Sequence, residues 1–368
     1  MWLGTYERAY PRSRVLVAGL REAGVEVVEH HRPVWERSRH KAGAGFLRPV
    51  PLAVTGGRFA GAWAGLAVAA AREGPVDAVV AGYPAQPDAV PAWVVARARR
   101  APLVVDMMIS LWDTLAGDRA LAGRAAGAAL SGVDRVSLRV ADLVLADTAA
   151  GADWLSARFG VPRERIAVVP VGAEPGAFPP SPLPPGPPAA LFYGKLAPLH
   201  GLPAVLAAAR VPGAPPVRLI GDGQLGDWLA AELARERPAG LTWDRWVPYE
   251  RLGDEVAAAS MCLGVFGTSD KAARVVPNKV WQALAAARPV VTADTPGVRE
   301  VLRDGESALL VPPGDGAALG AALVRLAGDP ALRARLAAAG HDVYTRTGAP
   351  RAVAGALLDA LTPLTLDA

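Results

Sequence analysis

Short apolar runs alternate with longer helical patterns along most of this chain, and this alternation constrains the fold more than any other feature. In the first half the apolar runs are VEVVEH, DAVVAGY, PLVVDMMI and DLVLADT, and residues 57–74, 88–100 and 119–141 have helical patterns between them. Strands that alternate with helices form βα units around a parallel sheet. The pattern therefore predicts an α/β fold.

A proline-dense segment, AEPGAFPPSPLPPGPPA at residues 173–189, interrupts the alternation. Because proline lacks an N–H group and fixes its φ angle, this segment can form neither a helix nor an inner strand. We interpret it as a semi-extended linker between a first domain at residues 1–172 and a second domain at residues 190–346.

The alternation restarts after the linker. The apolar runs are now AALFYGKL, PVRLIGDG, LTWDRWV, CLGVFGT, RPVVTAD and SALLVP, each followed by a helical stretch. The chain is thus predicted to form two doubly wound, Rossmann-like parallel-sheet domains. Ligands of such sheets bind at the carboxyl ends of the strands, so we expect a site in a cleft that the two domains face.

The composition agrees with two globular domains. Of 368 residues, 52% are apolar and 20% are charged, and the net charge of +4 favours anionic partners without indicating nucleic acid. The single cysteine, Cys262, excludes an intrachain disulfide and is expected to be a buried, reduced thiol. Neither a signal sequence nor a membrane span is recognisable, so a cytoplasmic protein is expected.

Motifs of several enzyme classes are missing from the sequence. It contains no GxxxxGK[ST] phosphate loop, no HExxH helix and no GxSxG turn. Five histidines and one cysteine cannot supply an ordinary structural zinc site, and no two aspartates stand two positions apart. We therefore expect that any bound anion is held without a metal and that no cofactor is needed.

The chain contains only four lysines, and three of them, Lys195, Lys271 and Lys279, fall in segments that should converge on one site. Gly194 ends a strand directly before Lys195, and His200 stands at the start of the next helix. Helix N termini and bare backbone amides attract phosphate, and a lysine adds a positive charge. These residues predict an anion site in the second domain.

Two further segments extend this prediction. Gly221 and Gly223 follow another strand, although a G-x-G of this kind equally fits an ordinary strand-to-helix turn. Pro277 fits the first turn of a helix, where its missing N–H costs nothing, and Asn278 and Lys279 follow at the mouth of that helix. The alternative is a solvated helix start.

Five segments resemble the retaining glycosyltransferases of family 4, which have the two-domain GT-B fold. They are GTYERAYPRSRVLVAGLREAGVEV, DMMISLWDTLAGDR, YGKLAPLHG, FGTSDKAARVVPNKVWQALAAARPVVTADTPGVREVL and ESALLVPPGD. The resemblance implies that the second domain binds a nucleoside-diphosphate sugar, that the first binds the acceptor, and that a helix at 347–368 crosses back to the first domain. It also implies a metal-independent reaction in which basic side chains and helix N termini stabilise the departing diphosphate.

The resemblance also implies roles for individual residues. Three are predicted to be catalytic: Lys195, Lys279 and Asp106. The predicted donor-binding residues are Gly4, in a loop facing the donor phosphates, and Gly194, His200, Gly221, Gly223, Val247, Arg274, Asn278 and Gln282. The predicted acceptor-side residues are Tyr6, Arg8 and Asp113.

The sequence departs from the family pattern in the second domain. Relatives commonly have glutamates where this chain has Arg274 and Gln282, and an arginine and a lysine where it has Lys195 and His200. Gln282 can still accept a ribose hydroxyl through its carbonyl, whereas Arg274 reverses the charge and is expected to contact an anionic group on the sugar or the β-phosphate. His200 would be cationic only part of the time near neutral pH.

A departure also occurs in the first domain. Many relatives have a histidine after the fourth strand, where this chain reads VVDMMISLWDT. Asp106 or Asp113 is expected to take over contacts with the acceptor, and a structural cap is the alternative for either residue.

The sequence therefore predicts a retaining transfer of a sugar from a nucleoside-diphosphate donor to an acceptor hydroxyl, without a metal. The acceptor is expected to be a sugar, a small molecule or a lipid-linked molecule. Two alternatives stay open, namely a silent nucleotide-sugar-binding protein, which the glutamate replacements favour, and a sugar-nucleotide 2-epimerase of the same fold. In residues 32–50 the aromatic residues Trp35 and Phe46 are interleaved with five basic residues, Arg32, Arg37, Arg39, Lys41 and Arg48. This segment predicts peripheral contact with an anionic membrane surface, at the inner membrane face, or else a solvated loop.

Overall fold

The computed structural model describes residues 1–34 and 49–366, and it divides the chain into two compact units. Unit 1 contains Met1–Pro170 and Val353–Ala368, and unit 2 contains Val171–Ala352. The proline-dense segment thus belongs to unit 2, and most of the predicted membrane segment 32–50 lies outside the described residues.

Unit 1 is built on a sheet of six parallel strands in the order β2-β1-β3-β4-β5-β6. The strands are β1 (Trp2–Gly4), β2 (Glu29–His31), β3 (Val79–Ala81), β4 (Leu103–Asp106), β5 (Leu143–Ala146) and β6 (Ile166–Val168). The helices are α1 (Pro11–Glu22), α2 (Pro49–Ala71), α3 (Ala89–Arg99), α4 (Arg124–Val140) and α5 (Ala149–Phe159), with a π-helical turn at Asp113–Asp118.

Both faces of this sheet are buried, because successive strand residues point to opposite sides. Val79 of β3 packs on one face with Trp63 of α2, whereas Val80 packs on the other face with Leu16 of α1. The last helix of the chain also reaches that second face, where Leu357 is fully buried.

Unit 2 repeats the architecture with six parallel strands in the order β12-β11-β10-β7-β8-β9. The strands are β7 (Ala190–Tyr193), β8 (Val217–Ile220), β9 (Leu241–Asp244), β10 (Met261–Leu263), β11 (Val290–Ala293) and β12 (Leu309–Val311). The helices are α6 (Leu202–Ala208), α7 (Gly226–Arg235), α8 (Tyr249–Ala257), α9 (Asp270–Arg274), α10 (Asn278–Ala285), α11 (Pro296–Arg299), α12 (Gly316–Gly328), α13 (Pro330–Val343) and α14 (Pro350–Leu366), whose later residues join unit 1.

The proline-dense segment forms neither helix nor strand, but it is packed against unit 2. Phe178 is fully buried, and the guanidinium of Arg288 donates to the backbone carbonyls of Ser181 (3.0 Å) and Pro182 (2.9 Å). Arg288 is itself fully buried and also donates to the carbonyl of Val256. These contacts fix the segment along one side of the unit.

The strand order fixes where each sheet can bind a ligand. In unit 1 the chain adds β2 on one side of β1 and then β3 on the other, and in unit 2 it adds β8 on one side of β7 and β10 on the other. A crevice forms beyond the carboxyl ends of strands at such a reversal, and ligands of doubly wound sheets bind there. The relevant strand ends are Gly4 in unit 1 and Gly194 in unit 2.

The predicted α/β fold with two doubly wound parallel sheets is confirmed. Two details differ from the sequence analysis: the run VEVVEH forms a strand only from Glu29, and β6 was not predicted. Among the described residues, no helix is both long enough and apolar enough to span a bilayer.

Candidate functional site

The ends of strands β7 and β8 approach each other so closely that only glycine fits. Gly194 and Gly221 have φ angles of +133° and +127°, which L side chains rarely adopt. A Cβ atom on Gly221 would lie 2.0 Å from the carbonyl oxygen of Gly194, and one on Gly223 would lie 2.8 Å from the amide nitrogen of Leu196. The edge of the sheet is therefore bare backbone, which allows a ligand to approach closely.

Lys279 is the second residue of α10, and its side chain is buried beside this edge. Its Nζ atom lies 3.8 Å above the ring centroid of Phe192, and a Cβ on Gly194 would be 3.4 Å from it. Among the described residues Nζ has no hydrogen-bond partner, and burial lowers the pKa of Lys279 well below its ordinary value. A buried amine without an acceptor is unfavourable, and an anion bound at the strand end would supply one.

His200 lies on the other side of the same glycine. It ends a short 3₁₀ turn, Pro198–His200, and its ring meets that of Phe192 edge-on, with 5.7 Å between centroids. A Cβ on Gly194 would lie 3.4 Å from His200 Cε1. His200 and Lys279 therefore flank Gly194 over one aromatic ring, and Lys195, which follows Gly194, is exposed.

A buried tyrosine at the end of strand β7 forms hydrogen bonds with helix α10. The Tyr193 hydroxyl donates to Gln282 Oε1 (3.0 Å) and lies 3.2 Å from the carbonyl oxygen of Lys279. Gln282 is buried. Its side-chain carbonyl oxygen, which we expected to accept a hydrogen bond from a ribose hydroxyl, accepts one from Tyr193. Pro277, predicted in the first turn of the helix, is instead its N-cap, and Asn278 is the first helical residue.

Two predicted donor residues lie in other segments that follow strands of unit 2. Arg274 is the last residue of α9 and is half-buried. A Cβ on Gly297 would lie 2.7 Å from the carbonyl carbon of Arg274, so α9 and α11 are in close backbone contact. Val247 lies after β9, next to the exposed Trp246.

In unit 1, Gly4 is the last residue of β1, whereas the sequence analysis placed it in a loop. Its φ angle is +143°, and a Cβ there would lie 2.5 Å from Asp88 Oδ2. Asp88 is fully buried and accepts hydrogen bonds from the Thr5 amide (2.7 Å) and the Trp63 indole (2.7 Å). Burial raises the pKa of Asp88 to about 7. The hydrogen bonds that the carboxylate accepts lower its pKa, but the effect of burial is larger.

The sequence analysis did not identify Asp88 as part of this site. The available signal was its position directly before the helical pattern of α3, which indicates an N-cap. Its side chain makes no capping hydrogen bond and instead holds residues that are distant in sequence.

Asp106, predicted to be catalytic or to contact the acceptor, is engaged by an arginine. Both of its carboxylate oxygens lie 2.8 Å from Arg12 Nε, and both side chains are fully buried. Arg12 also donates to the carbonyl of Val169 (2.8 Å). This geometry is that of an ion pair joining α1, β4 and the residue after β6, and a contact between Asp106 and an acceptor stays a prediction.

The predicted acceptor-side residues fall in two places. Tyr6 and Arg8 both contact Glu29, at 2.7 Å and 3.4 Å. Asp113 begins the π-helical turn and is half-buried. The loop before it is held by the buried Asp134, whose carboxylate accepts from the Ser110 hydroxyl (2.7 Å) and the Trp112 amide (2.9 Å).

Comparison with known proteins gives two family matches. Residues 11–172 match the family described as "Glycosyl transferase 4-like domain", and residues 187–329 match "Glycosyl transferases group 1". A 65-residue stretch is 51% identical to a phosphatidyl-myo-inositol mannosyltransferase of Mycobacterium leprae, but it covers only 18% of this chain and 17% of that protein.

Solved structures agree in fold. The sucrose-phosphate synthase of Thermosynechococcus elongatus aligns over 100% of this chain and 98% of its own, with a TM-score of 0.73 and 19% identity. HepE of Anabaena, solved in complex with UDP-glucose, aligns over 87% of this chain and 90% of its own, with a TM-score of 0.64 and 16% identity. With one family match in each unit and this shared architecture, the chain belongs to the family 4 type of glycosyltransferases, which have the GT-B fold.

Proposed function

We propose that this glycosyltransferase moves a sugar from a nucleoside-diphosphate sugar to an acceptor hydroxyl, with retention at the anomeric carbon and without a metal. The observation that carries the proposal is the buried amine of Lys279, which has no hydrogen-bond partner among the described residues and lies beside the bare backbone of Gly194. A diphosphate at this strand end would accept from Lys279 and from nearby backbone amides.

The donor is proposed to be a uridine diphosphate sugar. HepE, which shares the fold, was solved with UDP and with UDP-glucose. In this chain Lys195, His200, Asn278 and Arg274 are proposed to surround the diphosphate and sugar, and Val247 to border the base. We propose that Gly4 and the strand ends of unit 1 take the acceptor side, with Tyr6, Arg8, Asp106 and Asp113.

In the proposed reaction the acceptor oxygen forms a bond to the anomeric carbon as the bond from that carbon to the diphosphate oxygen breaks. The electron pair leaves with the diphosphate, and the proton of the acceptor hydroxyl passes to a diphosphate oxygen or to solvent. Lys279 and Lys195 would stabilise the charge that develops on the leaving group, which is the task that metal ions perform in other transferases. The absence of paired aspartates two positions apart supports a metal-free reaction.

Calorimetric titration of UDP and UDP-glucose tests the donor site. Lys279→Ala should weaken both by about 1.5–3 kcal/mol, the value of a charged hydrogen bond. Arg274→Glu should weaken them more than Arg274→Ala, because it brings a carboxylate towards phosphate. Wild-type affinity in all three variants would show that the N terminus of α10 and the preceding Arg274 are not part of the donor site.

Product analysis tests the reaction itself. Incubation with the donor and candidate acceptors, in the presence of a chelator, should yield a glycoside with the anomeric configuration of the donor. Loss of product with chelator and its return with Mg²⁺ or Mn²⁺ would contradict the metal-free mechanism, and an inverted product would contradict retention.

A second candidate function is a nucleotide-sugar-binding protein without transfer activity. The hydrogen bond from Tyr193 to Gln282 favours it, because this side chain has a single acceptor atom and one of its two lone pairs is already in use, where relatives have a carboxylate with two acceptor oxygens. Tight UDP-glucose binding without hydrolysis or transfer to any acceptor would identify this function. If the replacement of this carboxylate by Gln282 is the only reason for the lack of transfer activity, Gln282→Glu should restore turnover.

A further inference from the structure

A cavity of about 230 Å³ opens on the side of helix α1 in unit 1. Arg14, Val17, Ala18 and Arg21 form its helical wall, because residues at this spacing share one face of a helix. The opposite wall comes from the β1–α1 loop and the start of β2, and its residues are Tyr6, Arg8 and Glu29, with Ser13 completing the lining.

The charges in this cavity are organised around Glu29. Its carboxylate accepts from the Tyr6 hydroxyl (2.7 Å) and from Arg21 (2.8 Å), and Arg8 lies 3.4 Å away. Burial alone would raise the pKa of Glu29, but these hydrogen bonds and the two arginine charges outweigh it and lower the pKa. Glu29 is thus ionised at neutral pH and fixes the arginines at the rim.

The lining of the cavity is more basic than acidic. Arg8 and Arg21 share the single carboxylate of Glu29, and the exposed Arg14 is a third arginine of the lining. Ser13 is 2% exposed, and its hydroxyl oxygen has no hydrogen-bond partner among the described residues. A buried polar atom of this kind favours a ligand that can pair with it.

We propose that this cavity binds the phosphate group of a small phosphate ester or of a lipid head group. A phosphate monoester carries nearly two negative charges and three strong acceptor oxygens, and a lipid phosphodiester carries a single charge and two such oxygens. The arginine fork matches the geometry of either group. The volume lies below the range of about 300–1,000 Å³ typical of whole-ligand pockets, so it suits one head group. The site shares Tyr6 and Arg8 with the predicted acceptor side, but it does not rest on the proposed transfer reaction.

Titration of inorganic phosphate into the full-length chain at constant ionic strength tests the site. Arg14→Ala should weaken binding about tenfold, the loss of one charged hydrogen bond. Ala18→Phe keeps every arginine but fills the cavity, and it should abolish binding. Ala18 is exposed on α1, so this variant is expected to fold, which its circular dichroism and melting temperature will verify.

Matched variants separate this site from others. Arg135→Ala removes an exposed helical arginine from α4 of the same unit and should leave the affinity unchanged. Lys279→Met removes phosphate binding at the strand ends of unit 2 and should leave the cavity occupied. The proposal is overturned if phosphate does not bind, or if Arg14→Ala and Ala18→Phe change its affinity no more than Arg135→Ala does.

Vesicles distinguish the two sources of phosphate. Sedimentation with vesicles of phosphatidylglycerol and phosphatidylcholine should be reduced by Arg14→Ala and Ala18→Phe if the ligand is a lipid head group, with phosphatidylcholine vesicles as the control. Equal sedimentation of both variants and wild type, together with lost binding of inorganic phosphate, would assign the site to a soluble phosphate ester.

Discussion

Lys279 is expected to destabilise the ligand-free chain. Its buried amine has no hydrogen-bond partner among the described residues, and such a group costs about 1–3 kcal/mol. Lys279→Met keeps the length of the side chain without the amine, so the free energy of unfolding in urea at pH 7.5 should rise by that amount while UDP binding weakens. A fall in stability would show that the amine is satisfied in the folded chain.

The same substitution has a predictable pH dependence. Because burial lowers the pKa of Lys279 in the folded chain, the unfolded chain binds the extra proton over the range between that pKa and the unfolded value of about 10.4. Stability from this residue therefore rises with pH across that range. The difference in unfolding free energy between Lys279→Met and wild type should narrow as the pH approaches 10.

Asp88 should make the stability of unit 1 depend on pH in the opposite sense. Its pKa is raised to about 7 by burial, whereas an unfolded aspartate titrates near 3.9, so the folded chain binds more protons between these values. The contribution of Asp88 is fully present below about pH 4 and is lost as the pH rises to about 7. In Asp88→Asn the free energy of unfolding should therefore depend less steeply on pH between about pH 4 and 7 than in wild type. An equally steep profile would assign the titration to another group.

At single residues, the sequence predicted only what neighbouring residues in the chain determine. The scarcity of lysine and the proline before Asn278 placed Lys279 at a helix start, where the structure has it. The burial of Lys279 could not be predicted, because it results from Phe192, a residue 87 positions earlier, and from the bare backbone of Gly194. The pairing of Arg12 with Asp106 spans 94 positions and left no local signal either.

At the scale of elements, the apolar runs of the second half predicted all six strands of unit 2. The prediction of strands was less complete for the first half, because its outer strands β2 and β6 have only three residues each. In VEVVEH, Val25 and Val27 pack beside the core of unit 1 before the strand begins, and β6 follows a short 3₁₀ turn rather than a long helix. Apolar periodicity identifies burial, and burial does not require a strand.

The proline-dense segment leads to a prediction about how an irregular element is held. Arg288 supplies hydrogen bonds to the carbonyls of Ser181 and Pro182. Arg288→Met should lower the free energy of unfolding by about 2–4 kcal/mol and speed amide hydrogen exchange in residues 173–189. Arg325→Met, at an exposed position of α12, is the control and should change neither. Unchanged exchange would mean that other contacts, such as the buried ring of Phe178 and the hydrogen bond from Tyr249 to Glu174, fix the segment without Arg288.

At the scale of the whole molecule, each of the two units has its own hydrophobic core. The helix α14 carries the chain from unit 2 into unit 1, so unit 1 is completed by a segment that follows the whole of unit 2 in the sequence. Val353 and Leu357 pack with Leu16 and Val80, more than 250 residues earlier in sequence. The stability of unit 1 therefore depends on a segment that separate expression of the first half would omit.

Calorimetric unfolding can assign this helix to its core. Leu357→Ala should create a cavity in unit 1, and Leu323→Ala of α12 should create one in unit 2, each at a fully buried position and each costing about 2–5 kcal/mol. For units of this size, about 3 kcal/mol corresponds to a fall of roughly 6–12 °C in melting temperature. We expect each variant to lower a different transition, because the two leucines belong to separate cores. If both variants lowered one shared transition, the two units would unfold as a single cooperative body, and the last helix would stabilise the whole chain rather than unit 1 alone.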